Sequence, residues 1–158
     1  MSILGNLGKS FVDNVLRDCV YPVKGSVVYC DLAFGSAEHS GIYIGNNEIV
    51  HLDGSGNVEI VDPKEFLNRL DGFNLAISIY VSCDGSSAVG GDIIAERAKK
   101  MVGEKRDYNL IFDNCHQFTS GCITGNFENS DNFLWMLKDT AEKEINANTW
   151  REIGRAHV

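Results

Sequence analysis

The chain has no Cys-x-x-Cys pair, no excess of basic charge and no run approaching the ~20 apolar residues of a membrane span. Each absence removes a class of function. Its cysteines, at 19, 30, 83, 115 and 122, are odd in number and irregularly spaced, so neither a zinc ribbon nor a thioredoxin-type centre is indicated. Such usage suits a reducing compartment. With 14 Lys and Arg against 22 Asp and Glu, the net charge of −8 argues against a nucleic-acid surface and against attraction to anionic membranes. Met1 to Gly8 lacks a basic region followed by a long apolar one, so a cytoplasmic location is expected. What remains is 158 residues, 44% hydrophobic, expected to form one domain with a real core.

The most informative stretch is Asp113-Asn114-Cys115-His116-Gln117-Phe118. Asn114 is a good N-cap, Gln117 completes a capping-box pattern, and Phe118, Cys122 and Ile123 recur at helical spacing before Gly125. Cys115 is therefore expected in the first turn of a helix. Unpaired N–H groups and the positive end of the dipole there favour a thiolate, the reactive form of cysteine, and later an oxyanion. The plainer reading is a small buried hydrophobe.

A cysteine nucleophile needs a base within reach and a group to orient that base. Of the four histidines, His157 lies in the tail and His116 points about 100° away from its helical neighbour Cys115. His39 and His51 remain, one on each arm of a hairpin predicted around Gly45-Asn46-Asn47. Parity matters here. A two-residue turn sets His51 opposite Ile42, facing away from His39; an odd loop sets it opposite Gly41, on the same face as His39. The paired-histidine reading requires the odd loop, with Asn47 in the left-handed region and Gly41 leaving space between the rings. Otherwise these are two unrelated histidines.

Along the chain, helical spacing is expected over residues 3–16, with Leu4, Leu7, Phe11 and Val15 on one side. Strands are expected at 26–30, on both hairpin arms, at 57–61 and at 73–81, with a short helix at 64–70 between the last two. Residues 84–91, rich in Gly and Ser, read as a mobile surface loop or a lid. Helices follow at 93–102 and from near Ser130, and the polar tail beyond about 145 is expected to fray. The class is α+β: a compact antiparallel sheet of four or five strands packed against helices.

At this point a resemblance enters. Five blocks carry it: Gly25 to Tyr29, His39 to Gly45, Val50-His51-Leu52, Tyr108 to Ile111 and Asn114 to Phe118. In their order and spacing they resemble the lecithin retinol acyltransferase-like family, in the circularly permuted branch of the papain-like superfamily that also holds NlpC-type peptidases. The matched core runs from about 25 to 125 in a single domain, 1–158. The resemblance implies Cys115 as nucleophile, His39 as its base and His51 as the orienter of that base. Tyr29 falls near a tyrosine sometimes associated with the oxyanion site, beside the support expected from Asn114, Gln117 and the Cys115 N–H. The chain departs from the pattern twice, with Ser40 where most members carry Trp, and His116-Gln117 where many carry Glu-His.

The expected function is a thiol-dependent acyl hydrolase or acyltransferase working through a Cys thioester. The expected substrate is an acyl ester, a lipid or a peptide amide, with no cofactor or metal needed. An NlpC-type amidase or cysteine peptidase would use the same residues. A zinc site built on His39, His51 and Cys115, or a catalytically silent binding domain, are the other readings.

Overall fold

Alternating apolar residues in the middle of the chain are realised as one antiparallel sheet. The computed structural model describes residues 19–31, 38–68, 78–106 and 114–153. The expected helix over 3–16, most of the expected strand at 73–81, Tyr108 to Ile111 and His157 lie outside them.

The sheet contains β1 (Val27–Asp31), β2 (Glu38–Gly45), β3 (Glu48–Leu52), β4 (Val58–Val61), β5 (Ile79–Asp84), β6 (Ser87–Ala88) and β7 (Thr149–Glu152). Its order is β4-β3-β2-β1-β5-β6, with β7 also paired to β5. The first four strands form the expected meander, because each is joined to the next by a connection short enough to pair neighbours.

Seven strands stand where four or five were expected, and the additional ones correct two expectations. Residues 84–91 are not a plain loop: β5 turns at Gly85, whose φ of +58° suits glycine, and returns as β6. Ser82 secures this return, its hydroxyl accepting from Val27 N at 3.0 Å and donating to Val89 O at 2.8 Å. Beyond residue 145 the chain forms β7 rather than fraying. Its ladder with β5 satisfies the backbone, and Trp150 packs edge-on to Tyr29 at 5.4 Å between centroids.

Register divides the sheet into two faces. Val27, Tyr29, Ser40 and Ile42 lie on one; Val28, Cys30, His39, Gly41 and His51 lie on the other. The first is covered by α2 (Asp92–Met101), α3 (Asn114–Thr124) and α4 (Leu134–Ile145), which bury Ile94, Phe118 and Leu137 against Val27, Ile42 and Val50. The second carries a smaller core of Val28, Ile49, Ile79 and Val81 beneath α1 (Pro63–Leu67). This one-turn helix is held by a capping box: Asp62 accepts from Glu65 N at 2.7 Å, and Glu65 accepts from Asp62 N at 3.0 Å. It places Phe66, 1% exposed, beside the two histidines. No described helix is long and apolar enough to cross a membrane.

Candidate active site

The hairpin solves the parity problem in a way the sequence reading did not anticipate. Its turn has two residues, Asn46 and Asn47, with φ of 52° and 62°, the left-handed pair typical of a type I′ turn. Gly45 pairs with Glu48, but Tyr43 already pairs with Ile49, so Ile44 is an extra residue in β2. This bulge restores the odd offset. His51 falls opposite Gly41, and His39, two residues further, shares its face.

The two rings meet. His39 Nε2 lies 2.5 Å from His51 Nδ1, with the rings edge-on at 88° and centroids 4.8 Å apart. Gly41 permits the approach: a Cβ there would stand 3.2 Å from His51 Cβ and 2.7 Å from Val50 O, closer than that backbone tolerates. The Phe66 ring packs on both imidazoles, at 5.0 and 5.8 Å. On the far side of His51, which is fully buried, Nε2 lies 3.4 Å from Glu59 Oε1, its direct cross-strand partner.

His39 Nε2 and His51 Nδ1 share one contact, and either ring can supply its proton. Where His39 Nε2 carries that proton, Nδ1 of His39 is bare and able to take another.

Cys115 is the second residue of α3 and its residue is 3% exposed. Its sulfur faces the carbonyl of Glu38 at 3.9 Å and the N–H of Ser40, the backbone groups on either side of His39. The nucleophile candidate is thus brought to the stretch of β2 that carries the base candidate. One expectation is corrected, however. Burial outweighs the helix terminus and pushes the thiol up to about 11, with contacts from Ser40 and nearby N–H groups only partly offsetting it. Burial thus disfavours a resting thiolate, and a base that takes the thiol proton would assist its ionisation.

Ser40 and His116 sit on the helix-covered side. Ser40 Oγ lies 2.9 Å from His116 Nδ1 and 3.0 Å from Thr119 Oγ1, and the Thr119 hydroxyl donates to Cys115 O at 2.8 Å. Burial holds His116 down to about 4, hence neutral. Ser40 and His116, two of the three positions at which a departure from the resembled pattern was expected, are in contact with each other.

The remaining expected support residues are placed elsewhere. Gln117 does not reach back to the helix start; its amide donates to Asn129 O at 2.5 Å, and Asn129 donates to Gln117 O at 2.9 Å, tying α3 to the following turn. Tyr29 presents its hydroxyl to Lys138 Nζ at 3.0 Å, and its ring stacks on Tyr80 at 5.0 Å. Asn114 is the first residue of α3, and its side chain lies outside the described atoms. Among the described residues no group of three or more His, Cys, Asp or Glu is disposed to hold a metal. Geometry argues the same way for the histidines: nitrogens sharing a tetrahedral zinc at ~2.0–2.1 Å would stand roughly 3.3 Å apart, not 2.5 Å.

Sequence reasoning missed Glu59, Thr119 and Lys138. Glu59 had a usable signal, since the tight turn at Asp53 to Gly56 mirrors His51 onto it. The partners on α3 and α4 had none, because helix rotation against a sheet is set by packing alone.

Comparisons with known proteins give the family. Genome polyproteins of two strains of avian encephalomyelitis virus, L2Z and Van Reokel, are each 26% identical over 112 residues, which is 70% of this chain and 5% of the polyprotein. The chain thus spans about 5% of the length of these curated relatives. Residues 21–128, which include β1 to β6, α3 and the residues Cys115, His39 and His51, match the lecithin retinol acyltransferase family, and the chain belongs to it.

Proposed function

We propose that the chain is a thiol-dependent acyl hydrolase or acyltransferase in which Cys115 is the nucleophile, His39 the base and His51 the residue that orients the base. The observation that supports this best is the convergence at β2: sulfur against the backbone flanking His39, and His39 Nε2 facing His51 Nδ1 at 2.5 Å.

His39 Nδ1 takes the thiol proton as the sulfur attacks the carbonyl carbon of an ester, thioester or amide. The C–S bond forms and the carbonyl oxygen becomes an oxyanion, held by the Cys115 N–H at the start of α3. Collapse breaks the bond to the leaving group, which takes the proton from His39, and a thioester remains. Water or another acceptor then gives its proton to His39, attacks the thioester and releases the acyl group with regeneration of the thiol. Charge on His39 during these steps is carried through His51 to Glu59. Because burial disfavours the thiolate, the base assists an ionisation that a preformed thiolate would not require. None of the five cysteines forms a disulfide, which supports action in a reducing compartment such as the cytoplasm.

Turnover of p-nitrophenyl esters and phospholipids beside dipeptide amides tests the reading. Ester cleavage by the native chain and none by Cys115→Ala is the expected result. Preference for amides assigns the same residues to an NlpC-type amidase, and unchanged turnover in Cys115→Ala removes the cysteine mechanism.

A further inference from the structure

Lys138 on α4 brings its ammonium into the corner between Tyr29 on β1 and Trp150 on β7. Its Nζ donates to the Tyr29 hydroxyl oxygen at 3.0 Å and stands 4.3 Å from the Tyr29 ring centre and 5.4 Å from that of Trp150. An ammonium has three protons and no lone pair, so the phenol oxygen accepts and its own proton turns elsewhere. Burial pushes that phenol up, which keeps the proton on it at neutral pH. Among the described residues none accepts this proton, and none forms an ion pair with Lys138. The nearest other hydroxyl in the stack, that of Tyr80, is turned to Glu152 Oε1 at 3.4 Å.

Tyr29 is 6% exposed and Lys138 is half-buried. A lysine withdrawn from water is ordinarily paired, and a buried hydroxyl ordinarily finds an acceptor. The ring faces supply part of what the ammonium has lost, but they offer the phenol proton no acceptor. The corner is therefore rich in donors and short of an oxygen to receive them.

Its place in the fold connects it with the reaction. Tyr29 lies directly opposite Ser40, the residue after His39, on strands that run ~4.8 Å apart. Two residues further along β1, Asp31 faces Glu38, whose carbonyl meets the Cys115 sulfur at 3.9 Å. We infer that Tyr29 and Lys138 form a subsite for a singly charged oxyanion carried by the substrate, a carboxylate or a phosphodiester, bound while the acyl carbon meets Cys115. The charge is limited to one because Asp31 and Glu38 stand at the same end of the sheet and repel a dianion. The inference rests on the acyl-transfer reading above and adds to it what the substrate carries away from the scissile bond.

The test compares three p-nitrophenyl esters of matched length on the full chain, ending in a carboxylate, a methyl phosphodiester or a methyl ether. One charged ester should exceed the neutral ether in kcat/KM by roughly tenfold or more, through KM, and which one it is names the source of the oxyanion. Lys138→Met should collapse that ratio, Tyr29→Phe should lower it, and Lys138→Arg should keep most of it. Should Lys138→Met not fold, Tyr29→Phe, which keeps the ring and removes only the hydroxyl, decides. A second arm needs no turnover: Cys115→Ala is titrated with acetate and with dimethyl phosphate while the indole N–H shift of Trp150 is followed. A saturable shift that disappears in Lys138→Met supports the subsite even where no ester is cleaved, the result that would fail the catalytic reading alone. A ratio near one for both charged esters, a preference that survives Lys138→Met, or no saturable shift with either anion overturns the inference and leaves Lys138 a structural filler of the aromatic corner.

Discussion

Two histidine clusters lie back to back across the same strand, and they differ in what their last partner can carry. On the α1 side, His39 and His51 end on the Glu59 carboxylate, whose side chain is 38% exposed. On the helix-covered side, His116 ends on the hydroxyls of Ser40 and Thr119, with no carboxylate among its hydrogen-bond partners in the described residues. Adjacent residues of β2, His39 and Ser40, feed the two clusters because a strand sends successive side chains to opposite faces. Under the roles proposed above, the difference lies in what each imidazole can share a charge with. A neighbouring carboxylate at the edge of solvent can carry the charge of a protonated pair, while a ring buried among hydroxyls can only hold its neutral form and position what it touches.

The largest effect expected to sharpen this contrast is on the α1 side. His39→Gln should lower ester turnover by on the order of 10²–10⁴, the usual contribution of a positioned base, whereas His116→Asn should leave most of the activity. Equal losses in steady-state kcat would erase the distinction. Next comes Phe66→Ala, which removes the ring that both imidazoles pack on. It should cost about 3–5 kcal/mol in urea unfolding and reduce turnover with it; a loss below 1 kcal/mol would mean that the histidines hold their geometry without it.

Acid should reveal the other cluster. The unfolded chain binds the His116 proton near the ordinary value of 6.5, the folded chain only near 4. Between those values protons favour the unfolded state, so the stabilisation is complete above 6.5 and is lost as pH falls towards 4, by roughly 3 kcal/mol. Urea midpoints across that window should fall in the native chain and flatten in His116→Asn. A smaller effect comes from Gly41→Ala: its methyl group would press on Val50 O and His51 Cβ and should cost about 1–3 kcal/mol, with activity falling more than stability as the rings separate. The smallest expected effect is at Glu59. A Gln there can donate to His51 Nε2 and reverse both tautomers, so Glu59→Gln should slow turnover by on the order of tenfold and by more than Glu59→Ala does.

Much of this arrangement was legible in the chain because it rests on local periodicity. Asn114 to Phe118 announced a helix start with a cysteine in its first turn, and α3 begins at Asn114. The hairpin announced itself through Asn46-Asn47, and the need for an odd offset followed from strand alternation. That the offset comes from a bulge at Ile44 did not follow, since Gly45 to Asn47 serves a three-residue loop as well as a type I′ turn. What stayed hidden depends on packing between distant elements. The burial that raises the Cys115 thiol against the helix dipole is one case, the Ser40–His116 contact another. So is β7, polar enough to read as a tail until Trp150 finds Tyr29 and Lys138.

The most direct test of the central claim is intact mass spectrometry of the chain after rapid quenching from an activated ester, followed by peptide mapping. A single acyl group confined to Cys115, absent in Cys115→Ala and much slower to form in His39→Gln, is the predicted result. An adduct on another residue, or turnover with no acyl-enzyme at any time point, would contradict it.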